Sequence, residues 1–219
     1  GKRAYRVVLK PSGEIFSEVT QKGYDLTRRS YDTIDPCGRS LFLVDTANEA
    51  GKTGRAWPIL GNSPRSKFEP SNFVRTPEGL RVTNTAHGLK ADLMIALADD
   101  DTPAEIWTLT IENPGNDART VKAVPYLEWV LDRPESDKGH TQYLRLFPEM
   151  EYAASANTLL ANQRKTKTWG FIASEAGPEG IHTSRMDFIG RGRSLWSPRL
   201  LETLDFLEPR DTAPYPTFD

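Results

Sequence analysis

Apolar and polar positions alternate with a period of two along most of this chain. Residues 89–97 run Leu-Lys-Ala-Asp-Leu-Met-Ile-Ala-Leu, so Leu89, Ala91, Leu93, Ile95 and Leu97 fall on one face of a strand. Leu89, Leu93 and Leu97 also recur at intervals of four, which leaves a helix open there. In 105–112, Trp107, Leu109 and Ile111 alternate with Thr108, Thr110 and Glu112, and the β-branched and aromatic content supports a strand. Asn113-Pro114-Gly115-Asn116 signals a turn. Beyond it, Val121, Ala123, Leu127, Trp129 and Leu131 alternate again, which predicts a long antiparallel hairpin between 105–112 and 121–131 with one buried face.

The same logic places further strands. Residues 4–10 and 14–19 flank Pro11-Ser12-Gly13 as a first hairpin. Segments 39–45, 80–87, 168–174 and 181–188 complete the set. Short strands punctuated by Gly and Pro turns predict an all-β fold, a large antiparallel β-sandwich. One stretch departs from the pattern. Ser197-Pro198 followed by Arg-Leu-Leu-Glu-Thr-Leu-Asp-Phe-Leu predicts a capped helix over 197–208. Function is expected on loops held by a rigid scaffold. Two stand out: 46–70, which contains Trp57, and Gly190-Arg191-Gly192-Arg193-Ser194-Leu195-Trp196.

Composition narrows the classes. A chain of 219 residues is expected to form a single domain, 1–219, and can bury roughly 70–75% of its unfolded surface without a staple. The single cysteine, Cys37, fits a reducing compartment and hence the cytoplasm. With three scattered histidines (His87, His140, His182), no metal site and no cofactor are expected. A net charge of −2 with mixed signs argues against nucleic acid. The longest apolar run, Leu93 to Ala98, is six residues, so no membrane segment is expected, and Gly1 to Tyr5 lack a signal-peptide core.

The chemistry is sparse. No phosphate-cradling loop, His-Glu-x-x-His, Cys-x-x-Cys or Gly-x-Ser-x-Gly occurs. A sugar needs a flat ring for its apolar face and a few polar groups for its hydroxyls. Trp57 and Trp196 sit in loops near Asp, Asn and Arg; the alternative is that both rings plug the sandwich ends or an interface. Trp107, Trp129 and Trp169 lie on strands as core or sheet-surface residues. Arg191 and Arg193 could bind an anion through their donor forks, or pair with acids across an interface. Paired carboxylates for glycoside cleavage would be Asp32 with Asp35, Glu149 with Glu151, or 99–101; each is also a simple turn or solvated face. A sugar epimerase would need a His and a carboxylate, such as His87, His140 or His182 with Glu128 or Glu149.

Several stretches, in order, resemble a known family. They are Tyr24-Asp-Leu-Thr-Arg28, Arg39-Ser-Leu-Phe-Leu-Val-Asp45, Trp57-Pro58 and Asp101-Thr-Pro-Ala-Glu-Ile-Trp107 through Asn113. Tyr126-Leu-Glu-Trp129, Phe147-Pro-Glu-Met-Glu-Tyr152, Asn157 through Arg164, and Phe188-Ile-Gly-Arg-Gly-Arg193 with Pro198 follow. Over about residues 24–219 the chain resembles the N-terminal β-sandwich of glycoside hydrolase family 94, formerly glycosyltransferase family 36, and most of all cyclic β-1,2-glucan synthases. The resemblance implies a galactose mutarotase-like super-sandwich beside an (α/α)6 helical barrel that carries the general acid and phosphate site for inverting phosphorolysis of β-glucosides. This chain is then expected to be part of a longer multidomain enzyme, short of at least one further strand and without catalytic residues of its own. The implied partners are β-glucan, the barrel and a second copy of the chain, with association of the parent protein with an inner membrane left open. Trp57, Arg191, Arg193 and Trp196 are the candidate substrate-binding residues. A free-standing carbohydrate-binding protein, an epimerase and an inert structural domain are the alternatives. The resemblance also implies an irregular segment where the pattern predicts the 197–208 helix.

Overall fold

A computed structural model describes residues 4–11, 13–31, 38–46, 55–60, 68–99 and 102–209. They form, in chain order, strands β1 (Tyr5–Leu9), β2 (Ile15–Val19), β3 (Tyr24–Thr27), β4 (Arg39–Asp45), β5 (Arg55–Pro58), β6 (Asn72–Arg75), β7 (Leu80–Ala86), β8 (Leu89–Leu97), β9 (Glu105–Glu112), β10 (Val121–Leu127) and β11 (Trp129–Asp132). Helices α1 (Pro134–Gly139) and α2 (Thr141–Leu144) precede β12 (Pro148–Ala153), β13 (Thr158–Gln163) and β14 (Thr168–Ala173). Helices α3 (Arg185–Ile189) and α4 (Leu200–Thr203) come last. The fold is all-β, with antiparallel strand pairs throughout the described sheets.

Four sheets result. An amino-terminal sheet has the order β1-β2-β3-β11, and a meander sheet runs β6-β7-β8-β9. A crossing sheet has the order β10-β4-β5, and a carboxy-terminal sheet is β12-β13-β14. The meander follows the alternation of its sequence. Leu89, Ala91, Leu93 and Ile95 of β8 are all buried on one face, so the segment is a strand and not a helix. His87 and Gly88 both take positive φ (54° and 79°), the two-residue turn whose twist matches an antiparallel pair.

Strand β4 explains why 39–45 does not alternate. All seven residues are buried. Leu41 and Leu43 face the meander in a core with Trp57, Val82, Leu93 and Ile95, while Phe42 and Val44 face a second core with Tyr126, Phe188, Leu195 and Leu201. A strand covered on both sides needs apolar residues at successive positions. A third core joins Trp129 and Leu131 to Met150 and Ala161 of the carboxy-terminal sheet. There Gly170 permits close approach, since a Cβ would lie 2.6 Å from the Trp129 ring.

Three local expectations are corrected. Strands β9 and β10 do not form a hairpin: β9 pairs with β8, and β10 crosses to β4. Segment 181–188 holds one isolated bridge, Ile181 to Leu207, and then turns into α3, because the Ser184 side chain accepts from the Asp187 N–H and caps a helix. The 197–208 helix shrinks to α4, ended by Leu204 in the left-handed region (φ 58°), so the rest is irregular.

Candidate functional site

The most heavily built polar centre lies where β10 gives way to β11. Glu128 sits between the two strands. Its N–H donates to the Gly38 carbonyl and its own carbonyl accepts from Arg28 N–H, which fixes its side chain inward. The carboxylate accepts from Arg28 Nη1 at 2.7 Å, Arg145 Nη2 at 3.1 Å, Arg185 Nε at 3.0 Å and the Tyr126 hydroxyl at 2.6 Å. Arg28 also holds Asp137 of α1 at 3.1 Å. Burial alone would raise the Glu128 carboxyl, yet the three guanidinium groups outweigh it and bring it down to about 2. Asp137 goes the other way: burial outweighs Arg28 and raises it.

Above this centre lies a groove of about 550 Å³, between β10 and the inner face of the carboxy-terminal sheet, with residues 174–185 as a third wall. Its lining includes Tyr126, Trp129, Tyr152 and Phe188, each 6–7% exposed, and the more open Phe206. Tyr126 and Phe188 stack with centroids 4.9 Å apart. Polar groups ring it: Asn157, Ser174, His182 and Ser184, with the Lys122–Glu179 ion pair to one side. Its size is that of a small-molecule site, and its rings with a few polar groups could take the apolar face and the hydroxyls of a sugar. Gly180 lets the wall approach Phe206 closely, where a Cβ would stand 2.4 Å from that side chain.

The tryptophans and arginines singled out in the sequence lie elsewhere. Trp57 is on β5, 1% exposed, inside the first core, its ring edge-on to His87 at 4.9 Å. No face of it is open to a sugar, so it is a core plug. Trp196 is half-buried against the second core. Arg191 is exposed, and Arg193 pairs with Glu202, the bland role open to it. None of the four lines the groove.

The other chemistry also sorts itself. Glu149 and Glu151 share the outer face of β12, and Glu149 pairs with Arg164. Asp32 and Asp35 lie outside the described residues, as do two of the three acids at 99–101 and Cys37. His182 is half-buried in the groove wall, where burial lowers its pKa, and its Nδ1 accepts from the Ser184 N–H at 3.3 Å. Glu128 is too acidic and too firmly held to act as a general base near neutrality. Among the described residues, no group of three or more His, Cys, Asp or Glu could hold a metal, and no helix is long and apolar enough to cross a membrane.

Comparison with known proteins agrees with the sheet architecture. The pattern of the glycosyl hydrolase 94 supersandwich domain matches residues 1–213. This chain belongs to that family. The supersandwich is similar to the cyclic β-(1,2)-glucan synthase NdvB of Rhizobium meliloti (strain 1021), with 27% identity over 189 residues, 81% of this chain and 6% of that protein. It is also similar to the solabiose phosphorylase of Paenibacillus borealis, with 25% identity over 183 residues, 78% of this chain and 23% of that protein. The supersandwich thus spans a quarter or less of these curated relatives.

The groove residues missed in the sequence are Tyr126, Tyr152, Phe188 and Phe206. Only one usable signal preceded them, the Ser184-x-x-Asp187 cap that turns the chain at the groove wall.

Proposed function

We propose that this supersandwich is the non-catalytic sandwich module of a β-glucan phosphorylase or cyclic β-1,2-glucan synthase, and that it holds a glucan chain in the groove beside Glu128. A separate helical barrel carries the chemistry. The observation that carries the reading is the groove itself, with five aromatic residues in its lining and hydrogen-bonding groups, neutral and charged, around them. The name of one relative, a cyclic β-(1,2)-glucan synthase, supports the substrate class, and that of the other, a solabiose phosphorylase, supports the phosphorylase arm of the proposal. The Glu128 cluster has a supporting part. It fixes Tyr126 through its hydroxyl and pins Arg185 at the start of α3, so two walls of the groove keep their spacing.

The test is a titration of the chain with β-1,2-, β-1,3- and β-1,4-linked gluco-oligosaccharides, followed by tryptophan fluorescence. Trp129 lines the groove and reports directly. A saturable, linkage-selective change is expected, weakened in Phe206→Ala and His182→Ala and lost as a signal in Trp129→Phe. A flat response to all three linkages refutes the proposal.

A further inference from the structure

The outer face of the carboxy-terminal sheet carries a second aromatic feature, on the side opposite the groove. Among the described residues strand β14 is at the edge of its sheet, and alternate residues on it point opposite ways. Gly170 and Ile172 face inward, against Trp129 and the third core. Trp169 and Phe171 therefore face out, 53% and 55% exposed. The contact at Gly170 is too tight for any side chain, so the strand cannot slip by one residue and hide the two rings.

The neighbouring strands extend this face. Asn162 of β13 stands opposite Trp169, and Glu149 of β12 stands opposite Asn162. The next row is Phe171, Leu160 and Glu151. The Asn162 Oδ1 is buried without a hydrogen-bond partner. Glu149 leans on Arg164 at 3.2 Å, and both remain well exposed. Two rings at i and i+2 lie ~7 Å apart, on the scale of one hexose unit. The face is roughly 20 Å long and about 14 Å wide, a few hundred Å², well short of the ~800 Å² each partner gives to a stable protein interface. A neutral polyhydroxylated chain fits such a strip better, packing ring faces on Trp169 and Phe171 and donating hydroxyl hydrogen bonds to the Glu149 and Glu151 carboxylates beside them.

We infer that the Trp169–Phe171 face is a second polysaccharide-contact surface, one that takes several consecutive units of an extended glucan and selects long chains over short ones. The inference rests on the glucan reading of the groove but uses none of the groove's residues. A flat strip gains affinity only by touching many units, whereas a groove of about 550 Å³ saturates with few.

The experiment measures binding of the chain to a β-1,2-linked glucose disaccharide and to a long linear β-1,2-glucan, by isothermal titration calorimetry. It uses the native sequence, the double variant Trp169→Ala/Phe171→Ala, and Trp169→Tyr. Long-glucan affinity is expected to fall about tenfold in the double variant, while disaccharide affinity is unchanged and Trp169→Tyr stays near native. Both rings are more than half exposed, so the thermal midpoint should hold in all variants. Equal long-glucan affinity in the native chain and the double variant overturns the inference. So does a native chain that binds the long glucan no better than the disaccharide. A native chain that binds neither sugar defeats the groove reading itself, and this inference with it.

Discussion

Replacing Glu128 by glutamine should destabilise the fold by more than any surface change, and the size can be worked from its surroundings. The carboxylate is 8% exposed and accepts from three guanidinium groups and a tyrosine. Its pKa near 2, against an ordinary 4.5, means that ionisation contributes on the order of 3 kcal/mol to the folded state at neutral pH. Glutamine keeps the shape but leaves Arg28 and Arg145 buried without their shared counter-charge, which costs about 3–5 kcal/mol. The sign of the pH effect follows. A depressed carboxyl stabilises fully above its unfolded value and loses that stability as pH falls from 4.5 toward 2. Asp25 and Asp137, whose pKa values burial raises, act oppositely: they are less unfavourable once protonated, and this happens at milder acidity. Urea unfolding of the whole chain from pH 7 to pH 2, for native and Glu128→Gln, separates the two. The native curve should fall steeply below 4.5, and the difference between the proteins should shrink toward zero there. A variant within 1 kcal/mol of native at pH 7, or a difference that does not change with pH, refutes the reasoning.

Other perturbations should behave as follows. Gly170→Ala should cost about 1–3 kcal/mol in thermal or denaturant unfolding, because the new methyl would meet the buried Trp129 ring at 2.6 Å. Leu43→Ala, at a side chain with no exposure between two sheets, should cost about 2–5 kcal/mol by the same measurement. Arg193→Ala removes an exposed ion pair with Glu202 and should shift stability by less than about 1 kcal/mol. A loss of several kcal/mol there would show that the 190–196 turn is structural.

Legibility in the sequence followed locality. Strands 80–87 and 105–112 were readable from alternation alone, but partners were not: the Asn113–Asn116 turn suggested a 105–112/121–131 hairpin, whereas β9 pairs with β8. The β10–β4 pairing was not readable either, since Val121 meets Asp45 across a long stretch of chain and no local pattern names a distant partner. The two-sided burial of β4 depends on the same long-range arrangement. Helix α3 was hidden because Ile181 to Phe188 alternates loosely, while its Ser184 cap is a signal of only two residues. Tryptophans expected in loops drew the sugar reading, yet Trp57 lies on β5 in the core, and the groove is lined by Trp129, Tyr126, Tyr152, Phe188 and Phe206. The outward pair Trp169 and Phe171 sits in plain alternation, but which face of β14 looks outward is decided by Gly170 and its neighbour Trp129.

The Glu128 cluster also sets the order of events during synthesis. Arg28 emerges first, Glu128 lies 100 positions later, and Arg185 follows Glu128 by 57 more. At a ribosomal pace of about 5–20 residues per second, the first guanidinium waits several seconds for its acid, and the acid waits again for its last base. The early hairpin, the meander and the core that joins β4 to the meander can close as they appear, but the groove wall built on α3 stays unlocked until residue 185 has left the ribosome. A nascent chain stalled before residue 185 should therefore be digested by protease in the 133–147 segment beside Glu128, and one stalled well beyond it should resist.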